Sequence, residues 1–315
     1  EAGLYGAVLV GLFAALFGGT STLISEPTGP MTLMFTAVLT SLAAQHPEHA
    51  LALGFTTVVI AGLTQILVGS FKLGRFITLM PYSVVSGFMS GIGVLLIVLQ
   101  IPAFLGAPSP GGGALGVLKG LPGLFESIRW PELGLAVGAM AVILLQPVSW
   151  RRWIPPKLTA LLLGTIAATL FLADEPLRRI GEIPMGLPSF RLPVMKPELV
   201  MTILLDGMIL GLLGCVDALI TAKIADSLTR TRHDSNRELI GQGVANMMSG
   251  LFGGLPGAGA TMGTVVNIQS GGRTPMAAII RALILLVIAV AAAPLLKNVP
   301  LAVLAAITVK AGVSI

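Results

Sequence analysis

The sequence is short of charge. Asp, Glu, Lys and Arg make up 10% of its 315 residues, against about 25% in an ordinary soluble domain. Apolar residues reach 55% and mean hydropathy is +0.93. Stretches of membrane length recur from end to end, and so little polar surface argues against a soluble helical protein. Aromatic residues are also scarce, at 5%, and alternating apolar and polar runs are missing, which argues against a β-barrel. The single cysteine, Cys215, rules out an intramolecular disulfide and lies in an apolar run, where a small buried residue is expected. His46, His49 and His233 fall in loops without metal-ligand spacing. No signal peptide is visible. The net charge of +5 comes from short loops between apolar spans, a pattern that does not suggest nucleic acid.

What the chain does have is glycine (39) and proline (21), and closely packed membrane helices use small residues in this way. Spans are expected at Tyr5–Phe17, Met31–Leu42, Leu51–Val68, Ser83–Leu99, Leu133–Val148, Leu158–Leu172, Leu199–Ile224, Arg237–Leu251, Met262–Gln269, Ala277–Ala293 and from Leu301 onward. Residues 100–130 read as a long loop containing Gly111-Gly112-Gly113, and Asp174–Glu198 as a charged loop at the midpoint. Trp150-Arg151-Arg152-Trp153 reads as an interface anchor. Lys72 and Arg75, then Arg151, Arg152 and Lys157, then Arg230, Arg232 and Arg237, then Arg273 mark alternate connections that should face the cytoplasm. Gly87 with Gly91 and Gly207 with Gly211 read as small-residue packing faces. The chain opens at Glu1 almost directly into an apolar run and stops at Ile315 inside another, as if both ends were cut.

The informative feature is a matched pair. Glu26-Pro27-Thr28-Gly29-Pro30-Met31-Thr32 and Gly257-Ala258-Gly259-Ala260-Thr261-Met262-Gly263-Thr264 are each an extended Gly/Pro segment that reaches a threonine and opens a short apolar helix. Each follows a helix that ends in paired glycines. Extended backbone inside hydrocarbon leaves polar groups unpaired, at several kcal/mol each, and is tolerated only where it lines a cavity or a site. Two such segments in corresponding halves are the pattern of an inverted-repeat transporter. The first turns of a helix carry free N–H groups and roughly half a positive charge, so two facing tips form an anion site. Thr28 and Thr261 are placed at the N-caps, where their hydroxyls add donors.

Asp217 lies deep in the Leu199–Ile224 helix, where a carboxylate is expected to be paired or functional. Thr221 stands one turn later on the same face. A carboxylate and a hydroxyl at that spacing suit a sodium ion, helped by backbone carbonyls; alternatively Asp217 carries a proton, or bonds backbone or Lys223. Asp206, three turns earlier, is expected in a wet vestibule.

At this point the motifs become recognisable. Glu1-Ala2-Gly3-Leu4-Tyr5-Gly6-Ala7, Pro27-Thr28-Gly29-Pro30-Met31-Thr32, the Pro81–Gly93 run and Gly271-Gly272-Arg273-Thr274-Pro275 resemble the sulfate permease family of anion transporters, in detail its cyanobacterial sodium-dependent bicarbonate transporters. The resemblance implies an all-α polytopic membrane fold of seven plus seven inverted segments with core and gate domains, and two half-helices preceded by short extended segments. It implies core residues 1–71, gate 72–196, core 197–297, and the start of a second gate part at 298–315. The chain would then begin at segment two and end within segment twelve, with a STAS domain beyond it. Carried over by position, Thr28, Ala260 and Thr261 contact the anion, while Asp217, Thr221, Gly259, Ala260 and Thr261 match the sodium site.

Two positions depart from the family pattern. Glu26 replaces a glycine, and Met262-Gly263 stands where many animal members have an arginine. Without that arginine, sodium held by Asp217 supplies the positive charge and couples the two fluxes. The expectation is a sodium-coupled bicarbonate symporter, not an enzyme, multi-pass in a plasma (inner) membrane, working by alternating access and dimeric when joined to its STAS domain. Its partners are a small anion, sodium and lipid, with no cofactor beyond the coupling ion. A proton-coupled sulfate or dicarboxylate transporter, an uncoupled anion channel and a nucleobase permease of similar architecture are the alternatives.

Overall fold

The computed structural model describes residues 2–77, 82–110, 113–151, 154–173, 175–181, 189–291 and 297–313. Of the residues named above, Glu1, Pro81, Gly111, Gly112, Arg152, Trp153, Asp174, Ala293 and Ile315 lie outside that set. The described chain is almost wholly helical and divides into two compact units, Glu1–Tyr82 with Met185–Ala291, and Ser83–Pro184 with Ala292–Ile315.

The first unit holds α1 (Ala2–Phe17), β1 (Ser25–Glu26), α2 (Gly29–Gln45), α3 (Ala50–Ser70) and the short α4 (Gly74–Ile77). The second unit contributes the middle of the chain: α5 (Tyr82–Phe104), α6 (Gly113–Lys119), α7 (Leu121–Glu126), α8 (Trp130–Leu145), α9 (Val148–Arg151) and α10 (Pro156–Leu170). The first then resumes with α11 (Val200–Thr229), α12 (Ser235–Leu251), β2 (Ala258–Gly259), α13 (Thr261–Gln269) and α14 (Met276–Ala291), and the second closes with α15 (Leu301–Val313). Among the described residues, α3 and the 33-residue stretch through α11 are long and apolar enough to cross a membrane by themselves, and six shorter apolar helices accompany them.

The first unit is built inside out. On α11, Met201, Leu204, Leu205, Met208, Ile209 and Leu212 are exposed at helical spacing, an apolar stripe suited to hydrocarbon. On α14, Met276, Ile280, Leu283, Ile284 and Val287 do the same. The polar side chains lie within: Thr57, Gln65, Asp217, Thr221, Glu238, Gln242, Asn246 and Ser249 are all buried. Helix α3 packs against both α11 and α12, and α12 also packs against α1. The α3–α12 contact is backbone on backbone. A Cβ on Gly243 would stand 2.5 Å from the Gly62 carbonyl, and one on Gly62 would stand 2.5 Å from the Gly243 carbonyl. Gly211 meets the Ala61 carbonyl of α3 in the same way, and Gly207 makes room for the Ile60 side chain, as their spacing predicts. Gly87 and Gly91 do not: a Cβ on either meets no described atom within 4 Å.

In the second unit, α8 packs on α10 and α15 through Ala136, Ala139, Ala160, Ala168, Ala302 and Ala306. Glu132, 1% exposed, is held by Arg178 at 2.9 Å, whose Nη1 also donates to the Ala107 carbonyl at 2.7 Å.

Residues 100–130 correct the expectation of one long loop. Helix α5 continues to Phe104, and α6 and α7 follow. Val117 and Leu124 bury against Ala107, so a short apolar register outweighs the glycines, and Pro122 stands in the first turn of α7, where a missing N–H costs nothing. Helix α11 also runs past the expected Ile224 to Thr229, where Arg230 adopts the left-handed conformation that ends it.

Candidate functional site

The two interrupted segments meet. β1 and β2 pair antiparallel, Ser25 opposite Gly259 and Glu26 opposite Ala258. Around this short ribbon the backbone is satisfied group by group. Ala260 N–H donates to the Ile24 carbonyl at 2.8 Å, and Ile24 N–H donates to the Thr264 hydroxyl at 3.0 Å. The fully buried Asn246 side chain clamps Gly257 from both sides, accepting its N–H at 2.8 Å and donating to its carbonyl at 2.9 Å. Asn246 also donates to Gln65 at 2.8 Å. From the far side of β1, Gln242 donates to the Ser25 hydroxyl at 2.6 Å. This network is how extended backbone persists at membrane depth.

The pairing brings the N-termini of α2 and α13 to one place. Thr28 is the N-cap of α2, but its side chain makes no capping bond; the hydroxyl instead donates to Asp217 Oδ2 at 2.7 Å. The N-cap of α13 is Ala260, in extended conformation, and Thr261 is the first helical residue. Its placement as an N-cap is therefore corrected by one position: Ala260 N–H is spent on Ile24, which keeps that residue in the ribbon.

Asp217 is 4% exposed and Thr221 fully buried. The Thr221 hydroxyl donates to the Gly259 carbonyl at 2.8 Å and lies 3.0 Å from the Thr261 hydroxyl. A hydroxyl has one proton. Since that of Thr221 goes to Gly259, Thr261 is the donor of the second contact. A Cβ on Gly259 would stand 2.9 Å from the Thr221 Cβ, so only glycine lets β2 approach α11 this closely. Among the described residues no Lys, Arg or His stands within ion-pair distance of Asp217.

Thr28, Asp217, Thr221, Gly259, Ala260 and Thr261, named from sequence, thus stand together; Asp206 sits half-buried earlier on α11 and apart from them. Chemically the cluster has two faces. One is an all-oxygen set of the Asp217 carboxylate, the Gly259 carbonyl and the Thr221 and Thr261 hydroxyls, which suits a hard cation. The other is the pair of helix tips. Thr32 N–H closes the first turn of α2 onto Thr28, and Thr264 N–H closes that of α13 onto Ala260. Ahead of those bonds, the N–H groups of Gly29, Met31, Thr261, Met262 and Gly263 carry the anion-attracting character. Both threonine hydroxyls expected as anion donors already have their proton engaged within the protein.

Sequence reasoning missed Asn246, Gln65 and Gln242, whose signal was an amide inside an apolar helix. It also missed Arg281 of α14, whose guanidinium pairs with the Glu26 carboxylate.

The sulfate permease family pattern matches residues 1–315. The chain is 57% identical over its whole length to the bicarbonate transporter BicA of Synechocystis, and 34% identical over 98% of its length to the putative sulfate transporter YvdB of Bacillus subtilis. It spans 56% of the first relative and 57% of the second. Among solved structures, the transmembrane domain of a cyanobacterial bicarbonate transporter BicA superposes with a TM-score of 0.94 at 56% identity, covering 100% of this chain and 81% of that one. SLC26A9, at 17% identity, superposes with a TM-score of 0.80 over 99% of this chain and 56% of its own, and so shares the fold. The chain is a member of the sulfate permease family.

Proposed function

We propose that the protein of which this chain is part is a secondary transporter of a small inorganic anion, a sodium-coupled bicarbonate symporter working by alternating access. The observation that carries this reading is the convergence of the α2 and α13 tips on Asp217, Thr221 and Thr261. Full-length relatives above half identity that are named bicarbonate transporters support the choice of anion.

Coupling follows from the hydroxyl count. With Asp217 unneutralised, the Thr28 hydroxyl donates its hydrogen bond to the carboxylate. A sodium ion drawn to Asp217, the Gly259 carbonyl and the Thr221 and Thr261 oxygens competes for that carboxylate. The Thr28 hydroxyl is then released toward the anion held by the helix tips. Each ion thereby favours the other, as thermodynamic linkage requires. A proton on Asp217 would release Thr28 in the same way, so the proton-coupled reading rests on the same buried carboxylate.

The test is radiolabelled uptake by the full-length protein, with bicarbonate and sulfate competing and with sodium replaced by choline. Uptake that is saturable, sodium-dependent and blocked better by bicarbonate than by sulfate is expected. Uptake unchanged in choline eliminates sodium coupling, and flux that never saturates makes the protein a channel.

A further inference from the structure

Arg281 stands in the second turn of the apolar helix α14; a cation at the centre of a membrane helix costs about 2.5–3.5 kcal/mol on translocon insertion scales, less toward its ends, unless it is paired or wetted. Its partner is not on a neighbouring turn. It is Glu26, the last residue of β1, 255 residues away. The two side chains are 36% and 30% exposed, so the pair is not sealed in a core. Strand alternation explains the contact: Ser25 faces α12 through Gln242, which turns Glu26 to the opposite side, toward α14. Glu26 is also two residues before Thr28, hence within about 7 Å along the backbone of the α2 tip.

Taking the transport reading above as its basis, we propose that the Glu26–Arg281 ion pair sets the valence of the accepted anion. The charges decide it. Glu26 and Arg281 cancel. Asp217 is cancelled by the coupling cation. What remains is the two helix tips, roughly half a positive charge each, which together balance one negative charge. A divalent anion leaves one charge uncompensated. Neutralising Glu26 exposes the Arg281 charge and balances a divalent anion. Neutralising Arg281 exposes the Glu26 charge and repels every anion. At an effective dielectric constant of about 20, a unit charge about 10 Å from the anion changes its affinity by about tenfold.

The test uses the full-length protein in four forms: wild type, Glu26→Gln, Arg281→Gln and the double variant. Labelled bicarbonate uptake is titrated with sulfate as competitor. Glu26→Gln should lower the sulfate concentration for half-inhibition about tenfold. Arg281→Gln should raise the KM for bicarbonate about tenfold. The double variant, with no net charge at the pair, should return both values to within about threefold of wild type. A pair that merely ties α14 to the ribbon predicts otherwise: the double variant would be as impaired as the worse single one, and sulfate inhibition in Glu26→Gln would not move. Either result overturns the proposal. Unfolding temperature is followed in parallel against sodium bicarbonate and sodium sulfate. If wild type shows no bicarbonate uptake, the transport reading fails, while the valence inference still stands or falls on whether Glu26→Gln gains protection by sulfate.

Discussion

Thr28→Val separates two ways in which a hydroxyl at this site can act. Valine keeps the shape and removes the proton donor that Asp217 accepts at 2.7 Å. A hydrogen bond to a charged group is worth about 1.5–3 kcal/mol, and each 1.4 kcal/mol is a factor of ten in an equilibrium constant. If sodium displaces Thr28 from Asp217, wild type gives up that bond each time the cation binds, and the variant does not. Its sodium half-saturation should fall about tenfold, taking the lower figure because the site is only partly buried. The KM for bicarbonate should rise by a similar factor and lose its dependence on sodium. If Thr28 instead holds the carboxylate in place for the ion, the sodium half-saturation moves the other way. The assay is uptake of labelled bicarbonate by full-length protein at a series of sodium concentrations, with Thr28→Ser as the control that retains the hydroxyl. A sodium half-saturation that is unchanged or raised in Thr28→Val, with Thr28→Ser near wild type, refutes the competition.

Three further outcomes follow from the same geometry. Asp217→Asn should abolish sodium dependence of uptake; retention of the wild-type sodium titration would remove Asp217 from the cation site. Gly243→Val forces a side chain into the Gly62 backbone, 2.5 Å from its carbonyl. Overpacking of this kind costs about 1–3 kcal/mol, which should lower the unfolding temperature of the purified protein and reduce uptake through α3 and α12 without altering anion preference. Arg178→Ala removes the closer guanidinium from Glu132, which is 1% exposed, but leaves it Arg129 at 3.7 Å and the backbone N–H of residue 178 at 3.3 Å, so the cost should fall below the roughly 3–5 kcal/mol of a buried pair fully broken. Combining Glu132→Gln with Arg178→Met should recover most of that loss in a thermal unfolding assay, while an additive double variant would show that the two side chains act separately.

The membrane class was legible from charge scarcity, and the broken helices from their Gly/Pro runs, because both are properties of local composition. The ribbon was not. β1 and β2 are two residues each, too short for any period to register, and their pairing joins residues far apart in the chain. The same distance hid the direction of the hydroxyls. Position alone suggested Thr28 as a donor to an anion, but which acceptor takes its single proton depends on Asp217, 189 residues on. Placing Thr261 as a cap failed by one residue because capping propensity favours threonine, whereas the Ala260–Ile24 hydrogen bond sets where extended backbone ends. Small-residue spacing foresaw the Gly207–Gly211 face but also nominated Gly87 and Gly91, since spacing says nothing of whether another helix comes close. Charges were hardest. Glu26 stood out as a departure from pattern, yet nothing local marks Arg281 as its counterpart.

The antiparallel ribbon has a mechanical consequence. Because Ser25 and Glu26 are stitched to Gly259 and Ala258, the two tips are yoked, and neither half-helix can tilt alone without unzipping main-chain bonds. On the alternating-access reading proposed above, a bound ion would travel in a cradle of fixed dimensions. The spacing of the two tips would then be the same at either face of the membrane, whatever charge the Glu26–Arg281 pair adds beside it.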